Sequence, residues 1–142
     1  MSHRFFEEVK GVYFDDLDSF HVLHNARYLL LFERAVGAFW MELGLRDFAA
    51  NPDEQFHMVR HNEMEYLTPV KGVGKVRVRL WVERLGRTSL TFAFRLLPID
   101  RDEVYAKGRR TIVRVEPKTF QSTPWSAPMR EKFGPYVEDD AS

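Results

Sequence analysis

The sequence predicts an α+β fold, an antiparallel sheet of about five strands wrapped around one long buried helix. Three observations carry this. Residues 26–43 (ARYLLLFERAVGAFWMEL) are apolar around most of a helix circumference, with Arg27, Glu33, Arg34 and Glu42 as the only charges. From residue 75 onward the apolar positions recur every second residue, the period of a half-buried strand. Short turn-like segments separate the later runs, which suits antiparallel neighbours.

Each element can be justified in order. Residues 4–14 read as a first strand. The helix over 26–43 follows, with Asn25 as a good N-cap and Gly44 at the position after the C-cap. Ala35, Gly37 and Ala38 are small enough to let it approach a sheet closely. Residues 56–67 form a second strand. In 75–85, Val76, Val78, Leu80 and Val82 face one side while Lys75, Arg77, Arg79 and Glu83 face the other. Gly86-Arg87 makes a tight turn. Leu90, Phe92, Phe94 and Leu96 then alternate through 89–97, Pro98 to Asp102 turns the chain, and 103–115 is the last strand. A meander of these strands has one apolar face that must be covered, and the long helix is the available cover. Residues 1–116 read as one domain. Residues 117–142 form a tail punctuated by Pro117, Pro124, Pro128 and Pro135, with one helical turn expected at 128–133 and disorder at 138–142.

Composition narrows the function. The chain has 142 residues, one domain's worth. Cysteine is absent, which excludes disulfides, thiolate metal sites and a cysteine nucleophile. Lys plus Arg and Asp plus Glu number 21 each, so a strongly basic nucleic-acid binder is not expected. The segment MSHRFFEEVK lacks the apolar core of a signal peptide, and no apolar run reaches the ~20 residues of a membrane span. The expectation is a cytoplasmic protein that needs neither membrane nor nucleic acid. Charge is uneven along the chain. Residues 69–114 hold 12 basic and 4 acidic side chains, a net +8, so the remainder carries −8. Such a stretch suits an anionic small molecule, or is simply a solvated sheet face.

The chemistry concentrates in residues 13–28 (YFDDLDSFHVLHNARY), which join the first strand to the helix. Asp15, Asp16, Asp18, His21, His24 and Asn25 lie just ahead of a helix N-terminus, where backbone N–H groups are unpaired and the dipole is positive. A carboxylate beside such donors suits hydrolysis of an activated acyl group, because the donors stabilise a developing oxyanion. Asp18, His21 and His24 also spell D-x-x-H-x-x-H, but a zinc site needs three or four ligands and a supporting shell; no metal is expected. His57 and His61 share a strand face ~13 Å apart and form no pair. No G-x-S-x-G is present to support a serine triad.

The string D-L-D-S-F-H-V-L-H-N-A-R-Y-L-L-L-F-E-R-A resembles the signature of hotdog-fold acyl-CoA thioesterases, most of all the 4-hydroxybenzoyl-CoA thioesterase branch. Asp16, Asp18, Val22, Asn25, Tyr28, Glu33 and Ala35 carry the match without gaps. Tyr66-Leu67-Thr68-Pro69-Val70 and Leu85-Gly86-Arg87-Thr88-Ser89 resemble two further family segments, so the likeness spans about residues 4–116.

The resemblance implies a hotdog fold, a homodimer or homotetramer with its site at a subunit boundary, and hydrolysis of an acyl-CoA or acyl-carrier-protein thioester without a cofactor. It implies that Asp18 is the catalytic carboxylate, as nucleophile or general base, that the backbone N–H of Asn25 polarises the carbonyl, and that Tyr28 lines the acyl pocket. His21 and His24 are expected to contact substrate from the same loop. Lys71 and Arg87, with Lys75, Arg109 and Arg110, sit at strand ends or turns and are candidates to hold coenzyme A phosphates. Glu33 is expected to be a buried carboxylate bonded to loop backbone. The family commonly has Gly where this chain has His21. Among non-Gly residues, His is one of the more tolerant of the positive φ that Gly allows. Two other functions share the fold: an acyl-CoA binder without catalysis, and an enoyl-CoA hydratase or dehydratase.

Overall fold

The computed structural model describes residues 3–45 and 56–138. Strands β1 (Phe6–Val12), β2 (His57–Tyr66), β3 (Gly74–Leu85), β4 (Ser89–Pro98) and β5 (Ala106–Arg114) form one antiparallel sheet. Helices α1 (Tyr28–Glu42) and α2 (Ala127–Phe133) pack on it. The expected elements are all present, with no end shifted by more than three residues.

The order across the sheet is β1-β3-β4-β5-β2. β3, β4 and β5 are the expected meander, but β2 is not part of it. It lies at the far edge beside β5, with Met64 opposite Gly108 and Asn62 opposite Arg110. Residues 67–73 therefore cross the end of the sheet to reach β3. They are held on the way, because Leu67 and Thr68 donate to the Tyr105 carbonyl at 2.9 and 3.0 Å. The alternation in β3 faces inward as expected, with Val78 opposite Leu96, Leu80 opposite Phe94 and Val82 opposite Phe92.

The buried residues of α1 are Tyr28, Leu31, Phe32, Ala35, Val36, Phe39 and Trp40. This is a single stripe at helical spacing, so the helix is buried on one face rather than all round. Ala35 is fully buried, but Gly37 faces open space, so the small-residue approach rests on Ala35 alone. The helix is also not the sole cover. Trp125, Met129, Phe133 and Tyr136, from the proline-containing segment, belong to the same core as Phe32, Phe39 and Phe92. Ser126 caps α2 by accepting from the Met129 N–H at 3.3 Å, and Pro128 stands in its first turn. Trp125 Nε1 donates to the Ser89 carbonyl at 3.1 Å. Phe133 is completely buried, and truncating such a ring typically costs ~3–5 kcal/mol. Of the segment expected to be disordered, Glu138 is anchored by Trp81 Nε1 at 2.9 Å, and residues 139–142 lie outside the described residues. No helix among the described residues is long and apolar enough to cross a membrane.

Candidate active site

The loop between β1 and α1 is built by its own carboxylates. Asp16 is buried, and its Oδ2 accepts from the Tyr13 N–H at 2.8 Å. Arg27 Nε lies 3.8 Å from its other oxygen, and the Asp16 carbonyl accepts from the His24 N–H at 2.9 Å. Asp16 thus ties both ends of the loop together. Leu17 and Leu23 then pair antiparallel, and the chain reverses tightly between them. His21 N–H bonds the Asp18 carbonyl at 3.0 Å, and Asp18 N–H bonds the Val22 carbonyl at 2.9 Å. This reversal needs one residue in the left-handed region, and His21 supplies it with φ 62°. A three-residue hairpin of this kind normally places Gly there. His21 therefore adopts the conformation the family's Gly would have, and the residue is exposed.

Asp18 is half-buried in this turn. Its Oδ1 accepts from the Phe20 N–H at 2.8 Å and, more weakly, from Val22 at 3.4 Å. This Asx-type arrangement fixes the carboxylate and leaves Oδ2 without a hydrogen-bond donor among the described residues. The crossing segment braces the loop from behind. Leu23 donates to the Val70 carbonyl at 2.8 Å, Gly72 donates to that of His21 at 3.0 Å, and Val22 pairs with Lys71.

The chain enters α1 through a tighter 3₁₀ turn, Asn25–Arg27. The cap is His24, not Asn25. Its Nδ1 accepts from the Ala26 N–H at 3.0 Å, so the neutral ring carries its proton on Nε2. Its carbonyl takes the Arg27 N–H at 2.8 Å. The N–H of Asn25 has no acceptor among the described residues. Sequence reasoning passed over Tyr66 except as a motif residue, yet its hydroxyl donates to the Asn25 carbonyl at 3.2 Å. Its ring meets Tyr28 edge-on at 4.8 Å. Tyr66 thus connects the β2 edge to the turn that carries the free N–H.

Tyr28 is buried and borders a small apolar cavity between α1 and the sheet. Burial pushes its hydroxyl above the ordinary pKa; Tyr66, Asp18 and Tyr105 add to the rise, and the Val70 backbone works against it. The phenol therefore remains protonated, and the charge of Asp18 is felt at it. His24 faces a different, open cleft of about 350 Å³, shared with Asp15, Leu17 and Arg27.

At least six of the twelve basic side chains in residues 69–114 pair with carboxylates. Arg77 pairs with Glu7 at 3.4 Å and Asp102 at 3.0 Å, and Arg79 also pairs with Glu7. Arg109 pairs with Glu83 at 2.8 Å and Lys107 with Glu65 at 4.0 Å. Arg110 is buried and donates to Asn62 at 2.8 Å and Glu33 at 2.5 Å. The expected phosphate role is thus withdrawn for Arg109 and Arg110, whose charges are matched. Glu33 is 59% exposed and serves this clamp instead of loop backbone. Lys71, Lys75 and Arg87 have no carboxylate within ion-pair reach among the described residues. Lys71 stands beside the Asp18 loop. Arg87 lies in the β3–β4 turn, at the opposite end of the 12-residue β3, and a single chain does not bring it to Asp18.

The loop thus holds a carboxylate by backbone N–H groups in the hairpin that precedes a helix start with a free N–H, on an antiparallel sheet packed by α1 and α2. The particular family follows from comparison with known proteins. The model of the thioesterase superfamily matches residues 20–105, and the chain belongs to that superfamily, with the hotdog fold. No curated protein sequence matches it. Among solved structures it is similar to a Pseudomonas aeruginosa protein, with TM-score 0.84 and 22% identity over 94% of this chain and 92% of that one. It is similar to a 1,4-dihydroxy-2-naphthoyl-CoA thioesterase from Synechocystis, with TM-score 0.82 and 14% identity over 92% and 96%. It is also similar to a Staphylococcus aureus protein solved in complex with CoA, with TM-score 0.84 and 16% identity over 96% and 85%.

Proposed function

We propose that this protein is an acyl-CoA thioesterase. The observation that carries the reading is the Asn25 N–H, left without an acceptor at the turn that follows the Asp18 hairpin. A backbone donor left open at the start of a helix is suited to the oxygen of a thioester carbonyl, where negative charge grows during attack. Asp18 then adds to the carbonyl carbon, or takes the proton of a water that does so. The tetrahedral intermediate collapses by breaking the C–S bond, and CoA leaves as thiolate. In the first route water next cleaves the acyl-aspartyl anhydride. Tyr28, a protonated phenol, borders the acyl side, while Lys71 lies where an exposed cation can meet a CoA phosphate. No step uses a metal or cofactor.

The working unit is a homodimer or a larger assembly of this chain. The ten-residue β2 is an edge strand with Met58, Val59 and Tyr66 about half exposed, and long apolar edges are normally covered. Arg87 reaches an Asp18 loop only if a second subunit supplies that loop.

The test is CoA release from a panel of acyl-CoAs, followed by free thiol, with and without chelator. Turnover that chelator leaves unchanged supports the reading. Binding without release points to a non-catalytic carrier, and hydration of an enoyl-CoA points to a hydratase. A monomeric mass by light scattering at micromolar concentration overturns the assembly.

A further inference from the structure

The cavity beside Tyr28 has an unusual floor. Phe32 of α1 lies flat on Phe94 of β4, with ring centres 3.9 Å apart and planes within 19°. The strand partner of Phe94 is Gly108. A Cβ there would come within 2.6 Å of Phe94 Cζ and 2.4 Å of the Glu63 carbonyl oxygen. The bare strand position is what lets the Phe94 ring lie where it does, a use of Gly expected where something approaches the backbone closely. Phe32 is held further by the Arg110 guanidinium, 5.0 Å from its ring centre, and that guanidinium is itself tied to Asn62 and Glu33. Both rings are buried, at 1% and 3% exposure. Between them and Tyr28, with Met64, Leu96 and Ala106 alongside, only about 10 Å³ stays open. One water-sized group needs about that much.

Resting on the thioesterase reading above, we propose that the Phe32–Phe94 pair is the floor of the acyl seat and limits the substrate to short acyl thioesters. With the carbonyl at Asp18 and Asn25, the chain beyond it passes Tyr28, whose hydroxyl feels the Asp18 charge and whose ring borders this cavity. The space left accepts about one methyl-sized group. A longer chain must push aside a stacked, buried aromatic pair whose neighbours are themselves bonded in place. A mobile lining would yield; this one is braced from the helix, from β4 and from β5.

The experiment measures kcat/KM for straight-chain acyl-CoAs of about two to sixteen carbons on the wild-type protein, then on Met64→Ala and Phe94→Leu. The wild type is expected to favour butyryl or shorter over octanoyl by at least about 10-fold, the low end for misfitting one methylene. Each variant is expected to raise the octanoyl-to-butyryl ratio, a readout that overall loss of stability does not move. A wild-type profile that is flat or rises toward long chains overturns the proposal, and so does a steep profile whose ratio neither folded variant changes. If Phe94→Leu does not fold, the wild-type profile and Met64→Ala still decide. Failure of folded wild type to release CoA from any chain length overturns the thioesterase reading itself, and this proposal with it.

Discussion

The two ends of α1 are finished in opposite ways. At the C-terminal end Gly44 takes φ +85°. Its N–H bonds the Met41 carbonyl at 3.0 Å, and the Leu45 N–H bonds that of Trp40 at 2.9 Å, the paired pattern of a Schellman closure. Lys132 Nζ adds a 3.0 Å bond to the Leu43 carbonyl. At the N-terminal end one donor is capped by a histidine, and the next, on Asn25, is left open. The first N–H groups of any helix lack an intrahelical partner, and an exposed one such as that of Asn25 is left to water at little cost. The open end lies on the surface beside Asp18. The difference teaches that closing an end takes protein partners, whereas an exposed end keeps a donor available; under the proposed function that donor meets the thioester carbonyl.

The comparison is broken most severely at Asp18. Asp18→Asn is nearly isosteric, so its Oδ1 can keep the Phe20 contact and melting should barely change. Thioester hydrolysis should fall by at least ~10²-fold, the lower range for a positioned acid–base group. Full turnover in the folded variant removes Asp18 from the mechanism. At the other end, Gly44→Ala should do the reverse. The new methyl has room, since the nearest atom, Lys132 Nζ, is 3.9 Å away, so the cost is the left-handed backbone alone. That is about 1–2 kcal/mol, or a fall in Tm of about 4–8 °C, with kcat unchanged below the transition. An unaltered Tm removes the Schellman closure as a stabilising feature.

His24→Ala sharpens the contrast. Loss of a cap costs about 1 kcal/mol, and kcat should fall alongside Tm, because the His24 cap shapes the turn that presents the Asn25 N–H. Asn25→Ala is the smallest change. Only its backbone is invoked, so kcat should stay within about 2-fold, with ΔΔG within the ±0.5 kcal/mol of ordinary surface changes. A large kcat loss in Asn25→Ala, with kcat unmoved in His24→Ala, would transfer the role from the backbone to the side chain.

The loop shows how far a motif can be read. Asp16, Asp18 and Tyr28 stand out in the sequence through the family resemblance; the loop tie of Asp16, the Asx turn of Asp18 and the burial of Tyr28 come from the structure. Residue type favours Asn25 as the cap, since Asn is the better capper on average, and only the 3₁₀ geometry moves that duty to His24. The helical position of Glu33 does not reveal that Arg110, 77 residues away, stands opposite and takes its carboxylate from the loop. The net +8 of residues 69–114 suggested a phosphate surface. Its acidic partners Glu7, Glu33 and Glu65 come from strands and a helix outside that stretch.

The sequence by itself determined the elements, since Val76, Val78, Leu80 and Val82 alternate at the strand period and Leu31, Phe32, Ala35 and Phe39 recur at the helical one. It left the conformation of His21 open, and the structure gives it the glycine-like φ of 62°. Tertiary structure alone decided that β2 pairs with β5 rather than β3, that Trp125 and Phe133 enter the core, and that Phe94 rests on Gly108 against Phe32. Periodicity is a property of neighbours along the chain, whereas these contacts depend on which distant surfaces the crossing at residues 67–73 brings together.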